Sequence, residues 1–177
     1  MYKKKYLNKF YYPINRTILN SAKLIKLLIC DVDGVLSNGM IFLGKNGEEI
    51  KSFNIKDGYG IKKLIKKNIE VAIITGGSSI SIKKRCKFLG IKHIYQNQSN
   101  KINALNILLK KINLNLTQVA YIGDDLIDKK IMNIVGLSIA VSDAHPLIKP
   151  YAHYITKKLG GYGAVREICD LILSSQN

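Results

Sequence analysis

The chain has 177 residues and is 47% hydrophobic, a length and composition that suit one globular domain with a sizeable core. Its 28 Lys+Arg against 12 Asp+Glu give a formal net charge of +16, yet Arg16, Arg85 and Arg166 are the only arginines. The remaining positive charge is lysine spread from end to end in a chain equally crowded with Ile and Asn. That is a compositional drift rather than the arginine-rich footprint of a nucleic-acid reader, so nucleic acid is not expected as a partner.

The chain opens on MYKKKYLNKFYYPINR, basic and without an apolar core, which reads as a basic N-terminal arm or helix over residues 1–22 rather than a signal peptide. Residues 23–177 are expected to form a single domain. Its first strand, at about 25–31, runs into DVDGV. A hairpin flap follows over about 38–54: MIFL, a GKNG turn, then EIKSF. A helix is predicted from Tyr59 to Lys67, with Ile61, Leu64 and Ile65 on one face, then the strand VAIIT at 71–75. Gly76, Gly77 and a serine-rich start lead into a helix that stops at Gly90. IKHIY at 91–95 is a strand, Lys101 to Lys111 a helix, and VAYIG at 119–123 a further strand. A helix at about 128–135, strands at 137–141 and 153–156, and a last helix from Ala164 to Leu173 complete the order. Strands alternating with helices predict an α/β fold, a three-layer doubly wound parallel sheet of Rossmann-like form. No apolar stretch approaches the roughly 18 residues of a membrane span, so membrane insertion is not expected. Cys30, Cys86 and Cys169 form no CxxC pair, which favours reduced, packed thiols and a cytoplasmic location.

Acids are scarce, and half of them fall at Asp31, Asp33, Asp57, Asp124, Asp125 and Asp128. DVDG directly follows the apolar run LLIC, and GDDLID follows VAYI. Parallel sheets bind ligands at the carboxyl ends of their strands, so two such loops would share one Mg²⁺, held by Asp31 and Asp124. Asp31 and Asp33 lie two apart on extended chain and start on the same side. One carboxylate is placed to attack phosphorus, and its neighbour to protonate the departing oxygen. Thr75 offers a hydroxyl to phosphoryl oxygens, and Lys101, at a helix start, offers positive charge where the transition state gathers negative charge. Each motif alone is an ordinary turn, cap or surface lysine; their order within one short domain is specific.

DVDGV, the TG pair, Lys101 and GDDLID together resemble the four motifs of the haloacid dehalogenase-like phosphatases, and the similarity runs through most of 27–173. The resemblance implies a Mg²⁺-dependent phosphoric monoester hydrolase working through an aspartyl-phosphate. Asp31 would be nucleophile and metal ligand, Asp33 the acid/base that also gives its backbone carbonyl to the metal, and Asp124 the remaining ligand. Asp125 and Asp128 would orient Asp124 and Lys101. Substrate contacts would come from Asp33, Asn54, Ile55, Lys56, Asp57, Gly58, Lys62, Thr75, Gly76, Arg85 and Lys101. The implied substrate is a small sugar phosphate, 3-deoxy-D-manno-octulosonate 8-phosphate, in lipopolysaccharide precursor synthesis. The alternatives are a nine-carbon keto-acid 9-phosphate or, as a different class, a non-catalytic nucleic-acid-binding protein. Two positions depart from the family pattern, Gly77 and Tyr162, where Arg is usual, and Lys62 also replaces an Arg. The gap between the first two motifs leaves no room for a cap domain. The hairpin, with apolar Ile41, Phe42, Leu43 and Phe53, is expected to pair with another chain, and the resemblance implies a homotetramer in which neighbouring hairpins join and cover each other's sites.

Overall fold

The computed structural model describes residues 14–176; most of the expected basic arm, residues 1–13, lies outside them. Helix α1 (Arg16–Leu24) is capped by the Asn15 side chain, which accepts from the Thr17 N–H, and it buries Leu19 and Ala22. It leads into β1 (Leu27–Cys30), whose four residues are all buried, as expected of a strand covered on both faces. A small antiparallel pair follows, β2 (Phe42–Leu43) with β3 (Glu49–Ile50). Then come α2 (Ile55–Lys66), β4 (Glu70–Ile74), α3 (Ile80–Leu89), β5 (His93–Tyr95), α4 (Lys101–Ile112), β6 (Val119–Gly123), α5 (Lys129–Met132), β7 (Leu137–Ala140), β8 (Tyr154–Ile155) and α6 (Ala164–Ser175).

The main sheet is six-stranded in the order β5-β4-β1-β6-β7-β8, and every neighbouring pair is parallel. From β1 the chain builds outward through β4 to β5, then crosses back over β1 to continue through β6. Helices α1, α2 and α6 pack together on one face, with α3 against α2, while α4 and α5 pack together on the other. The core lies between them, with Leu28, Ile29, Ile73, Tyr121 and Ile139 inaccessible to solvent. Reversal of the winding direction at β1 opens a crevice beyond the carboxyl ends of β1, β4 and β6, the place where such sheets bind ligands.

Two helices depart most from their expected bounds. Helix α2 begins at Ile55 rather than Tyr59, because the Asn54 side chain accepts from the Lys56 N–H and starts the helix four residues early. The helix expected over 128–135 shrinks to Lys129–Met132, preceded by a 3-10 turn at Leu126–Asp128. Asp125 and Asp128 cap that turn reciprocally, and this tight entry leaves only one α-helical turn. Phe53, expected on the exposed hairpin face, packs instead against the core, whereas Ile41, Phe42 and Leu43 are more than half exposed.

Candidate active site

Asp31 continues β1 by one residue, donating its N–H to the Ile122 carbonyl of β6, so its side chain leaves the sheet at the strand tip. The chain then closes a tight turn in which the Val32 carbonyl accepts from the N–H groups of Val35, Leu36 and Ser37. Gly34 occupies the left-handed region with φ +76°, and a Cβ there would fall 2.1 Å from Asp124 Oδ2. Only glycine lets the two acidic loops approach this closely.

Four side chains meet at the tips of β1 and β6. Lys101, the first residue of α4, is set there by the Asn100 cap, whose side chain accepts from the Ile102 N–H. Its Nζ donates to Asp31 Oδ2 at 2.6 Å, to Asp128 Oδ1 at 2.6 Å and to the Tyr121 hydroxyl at 3.2 Å. Asp128 uses both oxygens: Oδ1 accepts from Lys101 and Tyr121, and Oδ2 from the N–H groups of Asp124 and Asp125. Asp125 is exposed and bonds to the Leu126 N–H, so it reaches the cluster only by shaping the turn that carries Asp128.

Charge in this cluster is unbalanced toward the negative. Burial, and then Asp128, push the Asp31 carboxyl up to about 6, while Lys101 pulls it the other way. Burial, and then Asp31 and Asp128, push Asp124 up to about 8. Burial disfavours the Lys101 ammonium, but Asp31 and Asp128 outweigh it and hold its pKa above the usual lysine value. Oxygens of Asp31, Asp124 and Asp128 lie within 4.8 Å of one another. Crowded carboxylates whose mutual repulsion a cation would relieve fit Mg²⁺, a hard ion that takes oxygen ligands. Asp128 is already saturated, which leaves Asp31 and Asp124 as the side chains to hold it.

Asp33 stands apart from this cluster. Its Oδ1 accepts from Lys51 Nζ at 2.7 Å and from the Ser37 hydroxyl at 3.2 Å. Thr75, buried at the tip of β4, accepts the Gly77 N–H on its hydroxyl oxygen at 3.3 Å, which leaves its own O–H to donate; Gly76 beside it is exposed. Gly77 borders Asp33, since a Cβ there would lie 3.0 Å from Asp33 Oδ2.

The other expected substrate contacts line the approach unevenly. Asn54 ties the crevice wall together, donating to the Gly161 carbonyl at 3.2 Å while its own carbonyl accepts from Arg85 at 3.0 Å. Gly58 packs beneath that guanidinium, with 2.6 Å from its would-be Cβ to Arg85 Nη2. Ile55 and Lys56 are exposed, and Lys56 lines a cavity of about 270 Å³ with Lys158, Tyr162 and Arg166. Asp57 is turned inward: it is 1% exposed and its Oδ1 accepts from the Arg166 N–H at 2.6 Å, at the start of α6. Burial pushes it up to about 6, against the opposing pull of the Arg166 and Gly163 N–H groups. Lys62 is exposed, its ammonium 4.1 Å from the Phe88 ring centroid. The glycine-rich segment before α6 crosses the catalytic turn so closely that a Cβ at Gly160 would fall 1.6 Å from the Gly34 carbonyl oxygen. Asp143 accepts the Gly160 N–H, and the His145 N–H donates to the Asp124 carbonyl, so residues 143–145 brace the glycine-rich segment against the Asp124 loop.

Lys51, Ser37 and Tyr121 were not among the residues the sequence pointed to. Tyr121 lay hidden as an ordinary apolar position within a strand. For Lys51 the only available signal was alternation, which places it on the same side as Glu49 and the inward Phe53.

A family model described as haloacid dehalogenase-like hydrolase matches residues 90–167. The 3-deoxy-D-manno-octulosonate 8-phosphate phosphatase of Salmonella typhi is 55% identical over 166 residues, covering 94% of this chain and 88% of that protein. The crystal structure of the phosphatase of that name from Yersinia pestis superposes with a TM-score of 0.93 at 55% identity, covering 94% of this chain and 90% of that one. The Moraxella catarrhalis phosphatase, solved with a magnesium ion, a phosphate ion and a KDO molecule, gives a TM-score of 0.88 at 47% identity, covering 90% and 92%.

Proposed function

The chain belongs to the 3-deoxy-D-manno-octulosonate 8-phosphate phosphatases, within the haloacid dehalogenase-like hydrolases, and on that footing we propose that it hydrolyses this sugar phosphate to 3-deoxy-D-manno-octulosonate and inorganic phosphate. The observation that carries the reading is the buried Asp31–Lys101–Asp128 arrangement beside Asp124 at the tips of β1 and β6.

Each residue takes a role that its contacts allow. Asp31 is the nucleophile: an oxygen of its carboxylate bonds to phosphorus as the ester oxygen leaves. Asp33 gives that oxygen a proton through Oδ2, the oxygen not engaged by Lys51 and Ser37, and then takes a proton from the water that cleaves the aspartyl-phosphate. Lys101 stays charged next to Asp31, so positive charge faces the phosphoryl oxygens without reorganisation. Thr75 donates its hydroxyl to a phosphoryl oxygen. Asp128, fixed by Tyr121 and two backbone N–H groups, holds Lys101 in place. Asp31 and Asp124, with the Asp33 carbonyl, would hold Mg²⁺, which when bound neutralises the carboxylate repulsion that a phosphate dianion would otherwise meet. The substrate wall is assigned to Asn54, Ile55, Lys56, Gly58, Gly76 and Arg85; Asp57 shapes that wall from behind.

Assembly and location complete the reading. The hairpin tip exposes Met40, Ile41, Phe42 and Leu43, and Ile50 beside them, an apolar patch on a two-stranded edge that suits pairing between copies in a homotetramer. Such pairing would shield a site that has no cap. Among the described residues no helix is long and apolar enough to cross a membrane, and the three cysteines are free and buried, which suits a reducing cytoplasm and a step in lipopolysaccharide precursor synthesis. Phosphate release from a panel of sugar phosphates, with and without EDTA, tests the activity. Metal-dependent preference for the octulosonate ester is expected. Preference for a nine-carbon keto-acid 9-phosphate, which Gly77 and Tyr162 would favour, would replace the substrate. Salt-sensitive retention on DNA with no phosphatase activity would overturn the enzyme reading.

A further inference from the structure

The hairpin does more than expose an apolar tip, because it also sends a lysine inward. Along Glu49 to Phe53 the odd positions face the domain and the even ones face solvent. The strand is fixed on both sides of Lys51: the Glu49 carbonyl accepts from the Ser81 hydroxyl at 3.1 Å, and Phe53 packs against the core. The Lys51 side chain is therefore 1% exposed, with its Nζ 2.7 Å from Asp33 Oδ1 and 3.5 Å from Glu49 Oε2. Asp33, by contrast, keeps 38% of its side chain open to the crevice.

A buried ammonium cannot greet a substrate arriving from solvent, but it can fix the carboxylate that does. Together with Ser37 it binds Oδ1 and leaves Oδ2 facing Gly77 and the crevice. We propose that Lys51 is a positioning residue for the acid/base: the hairpin delivers it to Asp33, whose Oδ2 it aims at the oxygen of the departing alcohol. This rests on the phosphatase reading given above. Its consequence is selective. A sugar alkoxide needs a proton in order to leave, whereas nitrophenolate leaves without one; the water step that Asp33 also serves is common to both esters and does not enter kcat/KM, so misaiming Asp33 lowers kcat/KM for the first ester far more than for the second.

The test measures kcat and KM for 3-deoxy-D-manno-octulosonate 8-phosphate and for p-nitrophenyl phosphate, with Mg²⁺, in the unmodified protein and in Lys51→Met, Lys51→Gln and Lys51→Arg. Lys51→Met and Lys51→Gln are expected to lose about 10²-fold in kcat/KM on the sugar ester through kcat, yet only a few-fold on the nitrophenyl ester, with Lys51→Arg recovering most of the loss. Equal losses of kcat/KM on the two esters, or a loss confined to KM, would overturn the proposal. Loss by every variant of both activities and of thermal stabilisation by Mg²⁺ would overturn it too, because Lys51 would then hold the fold. Activity of the unmodified protein on the sugar ester reports separately on the substrate reading, and the ratio between esters reports on Lys51.

Discussion

Replacing Asp124 by asparagine is expected to make the metal-free protein more stable while removing its response to Mg²⁺. The folded pKa of Asp124 is raised to about 8 from 3.8, with burial the largest cause and Asp31 and Asp128 next. A raised folded pKa means that the favourable contribution is complete below the unfolded value and is lost as pH rises through the folded one. Across the whole shift, about 4 units correspond to roughly 6 kcal/mol. The carboxylate is partly open to solvent, and Asp31 shares the same repulsion, so a net gain of about 2 kcal/mol is the working figure for Asp124→Asn at pH 8. The amide has nearly the shape of the carboxylate, so the tight approach of Gly34 is kept. Urea denaturation in EDTA at pH 5, 7 and 9 would show the variant gaining on the parent as pH rises, with the two converging toward pH 4. Added Mg²⁺ would stabilise the parent and reverse the order, since ligand that binds only the folded state stabilises it. A variant less stable than the parent at every pH in EDTA would refute the account of Asp124 as a repelled carboxylate waiting for a cation.

Three further outcomes follow from the same geometry. Asp31→Asn is expected to abolish measurable phosphate release while leaving the fold intact by circular dichroism; turnover by this variant would rule out the covalent role of Asp31. Gly77→Arg, which restores the charge usual in the family, is expected to lower KM for the octulosonate phosphate several-fold by adding a guanidinium next to the phosphate path. Because its Cβ would start 3.0 Å from Asp33 Oδ2, kcat is expected to fall as well, and an unchanged or raised KM would count against the assignment. Phe42→Ser with Leu43→Ser removes two of the exposed apolar side chains of the hairpin tip and is expected to shift the mass by light scattering from tetramer toward monomer; a parent that is already monomeric and fully active would defeat the assembly proposal.

Among the elements, the central strands were the most legible in the sequence. LLIC, VAII and VAYI are short apolar runs bounded by turn residues, and all lie in central parallel strands, where burial on both faces leaves few polar positions to blur the pattern. The start of α2 was not legible. Asn54 caps it, but a capping asparagine and an asparagine in a loop look alike until the Lys56 N–H is seen pointing at the side chain.

The candidate site divides in the same way. Asp31, Asp33, Thr75, Lys101 and Asp124 could be found from the chain alone, because each follows a strand or begins a helix and the order of secondary structure brings those ends to one edge of the sheet. What the sequence could not decide was which neighbours those residues would meet once folded. Asp128 turned out to spend both oxygens on Lys101, Tyr121 and the backbone, Asp57 to face the start of α6 rather than the crevice, and Lys51 to cross from the hairpin to Asp33. Apart from the backbone bonds of Asp128, these are contacts between residues 7 to 109 positions apart, so they depend on the register and packing of separate elements, which no local pattern encodes.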